Sequence, residues 1–394
     1  MHILDLILWF AFTVWMAAAL FSLWNMTGVT ILRPVSSVAS QPDLPRVSIL
    51  LAARNEQETL PETLDSLLNL DYPDYEVILV DDDSDDRTGA IADDWAQRRG
   101  SDGKLRVIHN HGLPAGWRGK VHAMSLAAEA ATGEWILSTD ADVVFHPSLL
   151  RQAVTLALRK KVQFLSLTPE VEMQSWAEKV VLPAFGFLLF MLFPLRLVND
   201  PRSSRAMAAG AFLLMRHEDL IAVGGYARLR HTLIEDLRMA ELFKHNGRRT
   251  YLGVTRGVFR TRMYKNWREV FEGLARSAWE GTGCSLWKTL AGVAFGNGLA
   301  VLPWISLVGL LLAHVFAGTP LAHNPVLWAA TAASTVSAAV YCPVVIFAGL
   351  SPLFTFTLPL AAIFYSTVSV VSAFNSLKGP GLSWKGRRYQ PPAA

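Results

Sequence analysis

Three acidic clusters hold the residues whose types and spacing could do chemistry. Arg54-Asn55-Glu56 follows the apolar run 47–53, Asp81-Asp82-Asp83-Ser84-Asp85-Asp86 follows the run 76–80, and Asp140-Ala141-Asp142 follows the run 135–138. Carboxylates gathered this closely repel one another unless cations or hydrogen-bond donors sit among them. A divalent cation is the economical answer, because hard oxygens suit Mg²⁺ or Mn²⁺, which bind one or two carboxylates together with substrate phosphates. An isolated Asp-x-Asp is more often a solvated turn. Its place directly after an apolar run, with the Asp81 cluster as a companion, favours metal chemistry.

These clusters need a frame that brings them to one edge. Short apolar runs alternate with helical patterns through residues 46–170, the signature of a parallel sheet built from βαβ units. Strands are expected at 47–53, 76–80, 105–109, 135–138 and 163–167, with helices at 58–69, 90–99 and 120–131, the last closed by Gly133 as its C-cap. In such sheets ligands sit at the carboxyl ends of the strands, where all three clusters fall.

The rest of the chain belongs to a different class. Of 394 residues, 52% are hydrophobic and 18% charged, and mean hydropathy is +0.28; the charged share lies below the ~25% usual for soluble domains. A net charge of +3 gives no bulk argument for nucleic-acid binding. Two cysteines, Cys284 and Cys342, cannot make a secreted-type disulfide framework. Residues 3–24 are apolar over about the length of a bilayer core, without the basic flank or small-residue cleavage site of a signal peptide, so residues 1–28 read as an uncleaved anchor. A linker at 29–45, an α/β domain at 46–285, a membrane region at 286–377 and a tail at 378–394 complete the expected division.

Arg33 and Arg46 follow the first segment and no Lys or Arg precedes it, which places the middle domain on the cytoplasmic side of a bacterial-type inner membrane. Lys378, Lys385, Arg387 and Arg388 ask for a cytoplasmic tail by the same rule. Three full spans at 289–317, 326–350 and 352–375 would put that tail outside, so one of the three is expected to be re-entrant or interfacial. The apolar stretch 180–198 is interrupted by Pro183, Pro194 and Arg196 and reads as an interfacial helix.

The motifs together resemble those of the membrane-bound family 2 glycosyltransferases with the GT-A fold. The likeness covers most of 46–262: Leu51-Ala-Ala-Arg-Asn-Glu56, Val80-Asp-Asp-Asp-Ser84, Thr139-Asp-Ala-Asp142, Gly210-Ala-Phe-Leu-Leu, Gly224-Gly225-Tyr226 and Glu235-Asp236. Gly112-Leu-Pro-Ala-Gly-Trp-Arg-Gly-Lys120 and Ser383-Trp-Lys-Gly-Arg387 look like the subgroup associated with hopanoid biosynthesis, and ceramide glucosyltransferases are a more distant likeness.

The resemblance implies that Ala53, Arg54, Glu56, Asp81 and Asp82 line a nucleotide pocket. It implies that Lys120 approaches the pyrophosphate and that Asp140 and Asp142 hold the metal. Asp236 takes the place of the family's general base, removing a proton from an acceptor hydroxyl in a single displacement that inverts the anomeric carbon. Bland alternatives stand beside these roles: Lys120 as a solvated lysine at a helix start, and Glu235 or Asp236 as helix-capping carboxylates. The implied partners are a nucleotide-diphospho sugar and a lipid acceptor in the membrane.

The Gln-x-x-Arg-Trp motif of processive synthases is absent. Arg276-Ser-Ala-Trp279 is its nearest counterpart, equally readable as a membrane-interface anchor. A polysaccharide-type synthase is the alternative within this chemistry. A transporter or scaffold with a degenerate nucleotide-binding domain is the alternative outside it, and the scarcity of ionisable residues in the C-terminal runs argues against that.

Overall fold

The near-continuous apolar runs become strands buried on both faces. The computed structural model describes residues 3–27, 29–35, 43–98, 103–232, 234–264, 266–321, 323–378, 382–384 and 387–389, and the chain divides into two compact units. One unit comprises 28–172 and 193–263. Its strands are β1 (Ile31–Leu32), β2 (Val47–Ala53), β3 (Tyr75–Asp81), β4 (Leu105–His109), β5 (Trp135–Thr139), β6 (Val143–Phe145), β7 (Phe164–Thr168), β8 (Glu170–Val171), β9 (Leu213–Arg216), β10 (Thr250–Thr255) and β11 (Phe259–Thr261).

Eight of these form one sheet in the order β1-β10-β7-β9-β5-β2-β3-β4, parallel except for β9, which runs antiparallel to β5 and β7. β6, β11 and β8 form a second, three-stranded sheet. This is the expected α/β architecture with a mainly parallel sheet. Alternation along the strands divides the core: Ile49, Leu51, Leu79 and Leu137 pack on one face, and Leu50, Ile78, Val80 and Ile136 on the other. Each such aliphatic side chain contributes about 1.5–3 kcal/mol by leaving water.

Helices cover both faces: Leu60–Leu68 and Leu149–Lys160 lie on the Ile49 face and Gly119–Glu129 on the Leu50 face. Leu60–Leu68 buries Leu60, Leu64, Leu67 and Leu68, and Leu149–Lys160 buries Leu149, Leu150, Ala153, Val154 and Ala157, in each case at helical spacing. Helix Gly119–Glu129 ends at Ala130, so the expected capping role of Gly133 is corrected. A Cβ on Gly133 would lie 2.5 Å from the Ser48 backbone nitrogen, and the Gly133 N–H donates to Ser48 Oγ at 2.8 Å. The glycine is required by close backbone approach rather than by a helix end.

The second unit comprises 1–27, 173–192 and 264–394. Helices Ile3–Met26 and Pro325–Phe347 and the segment Pro352–Leu377 are each long and apolar enough to cross a membrane. Leu286–Ala300 and Leu302–Ala317 form a pair bent by 43° that makes a fourth candidate if taken as one span. The run expected at 289–317 is therefore broken, at Val301 with Pro303 just beyond it. Outward-facing Trp287 and Phe316 are each 82% exposed, a disposition that favours an apolar surrounding.

The stretch 180–198 is not one helix. Helix Trp176–Leu192 packs Val180, Val181, Ala184 and Phe187 among Trp15, Tyr341, Leu358 and Phe364 of the apolar unit. Pro194 then starts the separate turn Leu195–Val198 in the sheet-bearing unit. Residues 264–285 likewise group with the apolar helices.

Candidate active site

Strand register places the acidic clusters side by side. Ala53 pairs with Asp81, Asp81 with His109, and Leu51 with Thr139, so β2, β3, β4 and β5 end at a common edge. At the first two ends the loops brace each other. Arg54 Nη1 donates to the carbonyls of Asp82 and Asp83, each at 2.5 Å, and the guanidinium lies 3.8 Å from the Asp83 carboxylate and 3.5 Å from that of Asp85. The Asn55 N–H donates to Ser84 Oγ, the Asp85 N–H to Asn55 Oδ1, and the Glu56 N–H to Thr88 Oγ1. Asn55 and Asp83 take left-handed backbone angles (φ 53° and 58°), which short polar side chains tolerate better than most.

Asp81 and Asp82 are buried and held. Asp81 accepts from the Ser84 N–H and lies 3.4 Å from His109 Nδ1, while Asp82 accepts from Asn110 Nδ2 at 2.8 Å. His109 Nε2 in turn meets Asp93 at 3.0 Å. Asp93, against the desolvation of the ring and with help from Asp81, raises the imidazole's pKa above its ordinary value. Partial burial works to raise the Asp86 carboxyl, but the Thr88 hydroxyl and then the Thr88 N–H donate to it and hold it below the usual range. Hydrogen-bond donors at Asp81, Asp82 and Asp86, and the Arg54 guanidinium facing Asp83 and Asp85, thus offset the charge of the Asp81–Asp86 run.

The third strand end is filled differently. Lys120, in the first turn of helix Gly119–Glu129, reaches Asp140 Oδ1 at 2.7 Å and Glu235 Oε1 at 2.5 Å, with 26% of its side chain exposed. Burial opposes its charge, yet Asp140 and Glu235 outweigh that and hold the ammonium well above the ordinary lysine range. Asp236 begins helix Glu235–His245 beside Glu235, accepts the Leu237 N–H at 2.7 Å, and lies against Gly210, where a Cβ would come within 3.3 Å of its Oδ2.

Burial first, then the charge of Glu235, pushes Asp236 up to about 6; the Leu237 N–H and Lys120 pull the other way, and Asp140 adds a smaller push. Tyr226, from the Gly224-Gly225 turn, is buried close to Lys120 and Glu235, and burial pushes its phenol up to about 12.

The structure therefore brings Lys120, Asp140 and the Glu235-Asp236 pair together, and separately Ala53, Arg54, Glu56, Asp81 and Asp82. Asp142 is half-buried, two residues after Asp140 in the turn that leads into β6. His109 and Asn110 are the site residues that the sequence left without a role, and Glu235 had one only as part of the Glu235-Asp236 motif or as a helix cap. Two acidic neighbours in Glu235-Asp236 and two polar residues at the β4 end were the available signals. Trp279 is buried in helix Trp267–Gly281 of the apolar unit, and the Arg276 side chain lies outside the described residues.

Among the described residues no group of three or more His, Cys, Asp or Glu is arranged to hold a metal. Asp140 and Asp142 offer hard carboxylate oxygens of the kind that a divalent cation takes together with substrate phosphates.

Residues 48–224 match the sequence profile of Glycosyl transferase family 2. The chain is 36% identical over 124 residues to the beta-monoglucosyldiacylglycerol synthase of Trichormus variabilis, covering 31% of this chain and 25% of that protein. It is 36% identical over 98 residues to the poly-beta-1,6-N-acetyl-D-glucosamine synthase of Staphylococcus epidermidis, covering 25% and 22%. The chain thus spans about a quarter of the length of these curated relatives.

A mannosyltransferase from Pyrobaculum calidifontis, solved in complex with GDP-Man and Mn²⁺, superposes with a TM-score of 0.54 at 19% identity, covering 94% of this chain and 99% of that one. The shared fold is GT-A.

Proposed function

We propose that this chain, whose residues 48–224 match Glycosyl transferase family 2, is a glycosyltransferase that moves one sugar from a nucleotide-diphospho sugar to a hydroxyl of a membrane lipid. The observation that carries the reading is the Lys120 bridge between Asp140 and Glu235, which links the Asp-x-Asp carboxylate to the residue beside Asp236. One cluster then contains a phosphate-seeking cation, a metal-type carboxylate and a base whose pKa is pushed up to about 6, near the range where a general base works best.

In this reading Asp236 takes the proton of the acceptor hydroxyl as the acceptor oxygen bonds to the anomeric carbon. The bond from that carbon to the phosphate oxygen breaks, the nucleoside diphosphate leaves, and the centre inverts. Asp140 and Asp142 would hold Mg²⁺ or Mn²⁺, which when bound neutralises charge developing on the leaving diphosphate. Lys120 orients the phosphates, and Asp81, Asp82, Ala53 and Glu56 meet the nucleoside, with Arg54 fixing the loops that carry them.

The lipid acceptor is supported by the three helices apolar enough to cross a membrane and by the likeness to a beta-monoglucosyldiacylglycerol synthase. A cytoplasmic-facing catalytic domain and a hopanoid-type acceptor follow the basic residues and the Lys120 and tail motifs. The equal identity to a poly-N-acetylglucosamine synthase keeps one second reading, polymer synthesis. Purified protein incubated with sugar nucleotides, divalent metal and membrane lipids should yield a glycolipid bearing one added sugar, absent in Asp142→Ala. Products of graded length would favour the polymer reading, and no metal-dependent product at all would overturn both.

A further inference from the structure

Resting on the proposed function, a second property of the same cluster follows. Lys120 Nζ lies 2.7 Å from Asp140 Oδ1 and 2.5 Å from Glu235 Oε1. Asp140 is the carboxylate assigned to the metal, so the ammonium occupies cation space on that ligand. A divalent ion cannot share this oxygen with Lys120 without setting two positive charges against each other in a partly desolvated site. Glu235 gives the ammonium a second anchor, and the four-carbon stem of lysine lets it exchange partners.

We infer that Lys120 stands in for the divalent cation on Asp140 while no donor is bound, and that Glu235 is the positioning residue that keeps it there. The donor's phosphates supply the competing anion that draws Lys120 away, so donor and metal load together. The device answers a physical need. Asp140, Glu235 and Asp236 lie in one cluster, and the charges of Glu235 and Asp140 act on Asp236; without a cation among them the apo site would carry uncompensated buried charge. Ordered loading also keeps the protein from holding a bare metal that ligates only two carboxylates.

The inference concerns Mn²⁺ binding itself, so it is tested without turnover. Free Mn²⁺ is followed by electron paramagnetic resonance during titration of the full-length protein in detergent: wild type, Lys120→Gln, Lys120→Met and, as a blank for the site, Asp140→Asn. Thermal melts establish that each variant is folded, and Gln, one atom shorter than Lys but an uncharged hydrogen-bond donor, serves if Met unfolds the site. With Mn²⁺ alone, the Lys120 variants should bind the ion about tenfold or more tightly than wild type, since a competing unit charge is gone.

Added UDP or GDP should tighten Mn²⁺ binding in wild type by a larger factor than in either Lys120 variant. The inference is overturned if the Lys120 variants bind Mn²⁺ alone no better than wild type while wild type does bind it with UDP or GDP. If no variant and neither nucleotide gives Mn²⁺ binding above the Asp140→Asn blank, the metal reading of the site fails first and takes this inference with it.

Discussion

At the end of β3 the carboxylates of Asp81 to Asp86 meet donors of their own: Arg54 for Asp83 and Asp85, Asn110 for Asp82, His109 and a backbone N–H for Asp81, and the Thr88 N–H for Asp86. Beyond β5, Asp140 and Glu235 share one ammonium, and Asp236 beside them is pushed up to about 6. The longer acidic run is thus the quieter one. What separates scaffold from chemistry is how many donors each carboxylate has, because an under-compensated, partly buried carboxylate is the one whose proton affinity rises toward neutrality.

The largest effect should come from the under-compensated side. Asp236→Asn is nearly isosteric and cannot accept a proton, so turnover should fall by about 10²- to 10⁴-fold, with nucleotide affinity changed little. Equal loss of binding and turnover would instead make Asp236 a structural helix-start residue. The same carboxylate sets a pH dependence with a definite sign. Only its ionised form is a base, and its pKa is pushed up to about 6 by burial and then Glu235. In wild type kcat/KM should be flat above that value and fall toward tenfold per pH unit below it. An acid limb near the ordinary carboxylate range would move the base elsewhere.

On the well-supplied side the expected effect is on stability. Arg54, 10% exposed, holds two loop carbonyls and two carboxylates. Arg54→Ala leaves those carbonyls without that donor and sets Asp83 against Asp85, a loss of about 2–4 kcal/mol, read as a lowered melting temperature of the detergent-solubilised protein. A lysine has no planar fork to replace it, so Arg54→Lys should recover little. Should Arg54→Ala melt like wild type yet lose nucleotide binding, Arg54 touches the ligand and the contrast between the two regions weakens.

Most of the frame was legible in the sequence because it rests on local signals. Strands β2, β3, β4, β5 and β7 are short apolar runs, and their ends fell within a residue of expectation, with the acidic clusters at the shared edge. Less was legible where a residue's role depends on what folds against it. Gly133 has the spacing of a helix cap, yet its place is decided by Ser48, distant in sequence. The break at Val301 sits inside an evenly apolar run. Glu235 gains its meaning from Lys120, more than a hundred residues earlier, and the loop-bracing bonds of Arg54 exist only when the β2 and β3 ends meet.

The smallest effect tests what holds the braced loops. Asp85 pairs with Arg54 at 3.5 Å, but 82% of its side chain is exposed. Water and salt screen such a pair, so Asp85→Asn should change stability by no more than about 0.5 kcal/mol and leave turnover untouched. Its backbone N–H still donates to Asn55 Oδ1, and Arg54 keeps its bonds to the carbonyls of Asp82 and Asp83. Comparing the melting temperatures of Asp85→Asn and Arg54→Ala therefore separates charge pairing from backbone bracing. A near-wild-type Asp85→Asn beside a strongly lowered Arg54→Ala assigns the energy to the buried hydrogen bonds. Comparable losses in both would assign it to exposed charge, and the β3 cluster would then be as electrostatically poised as the one around Lys120.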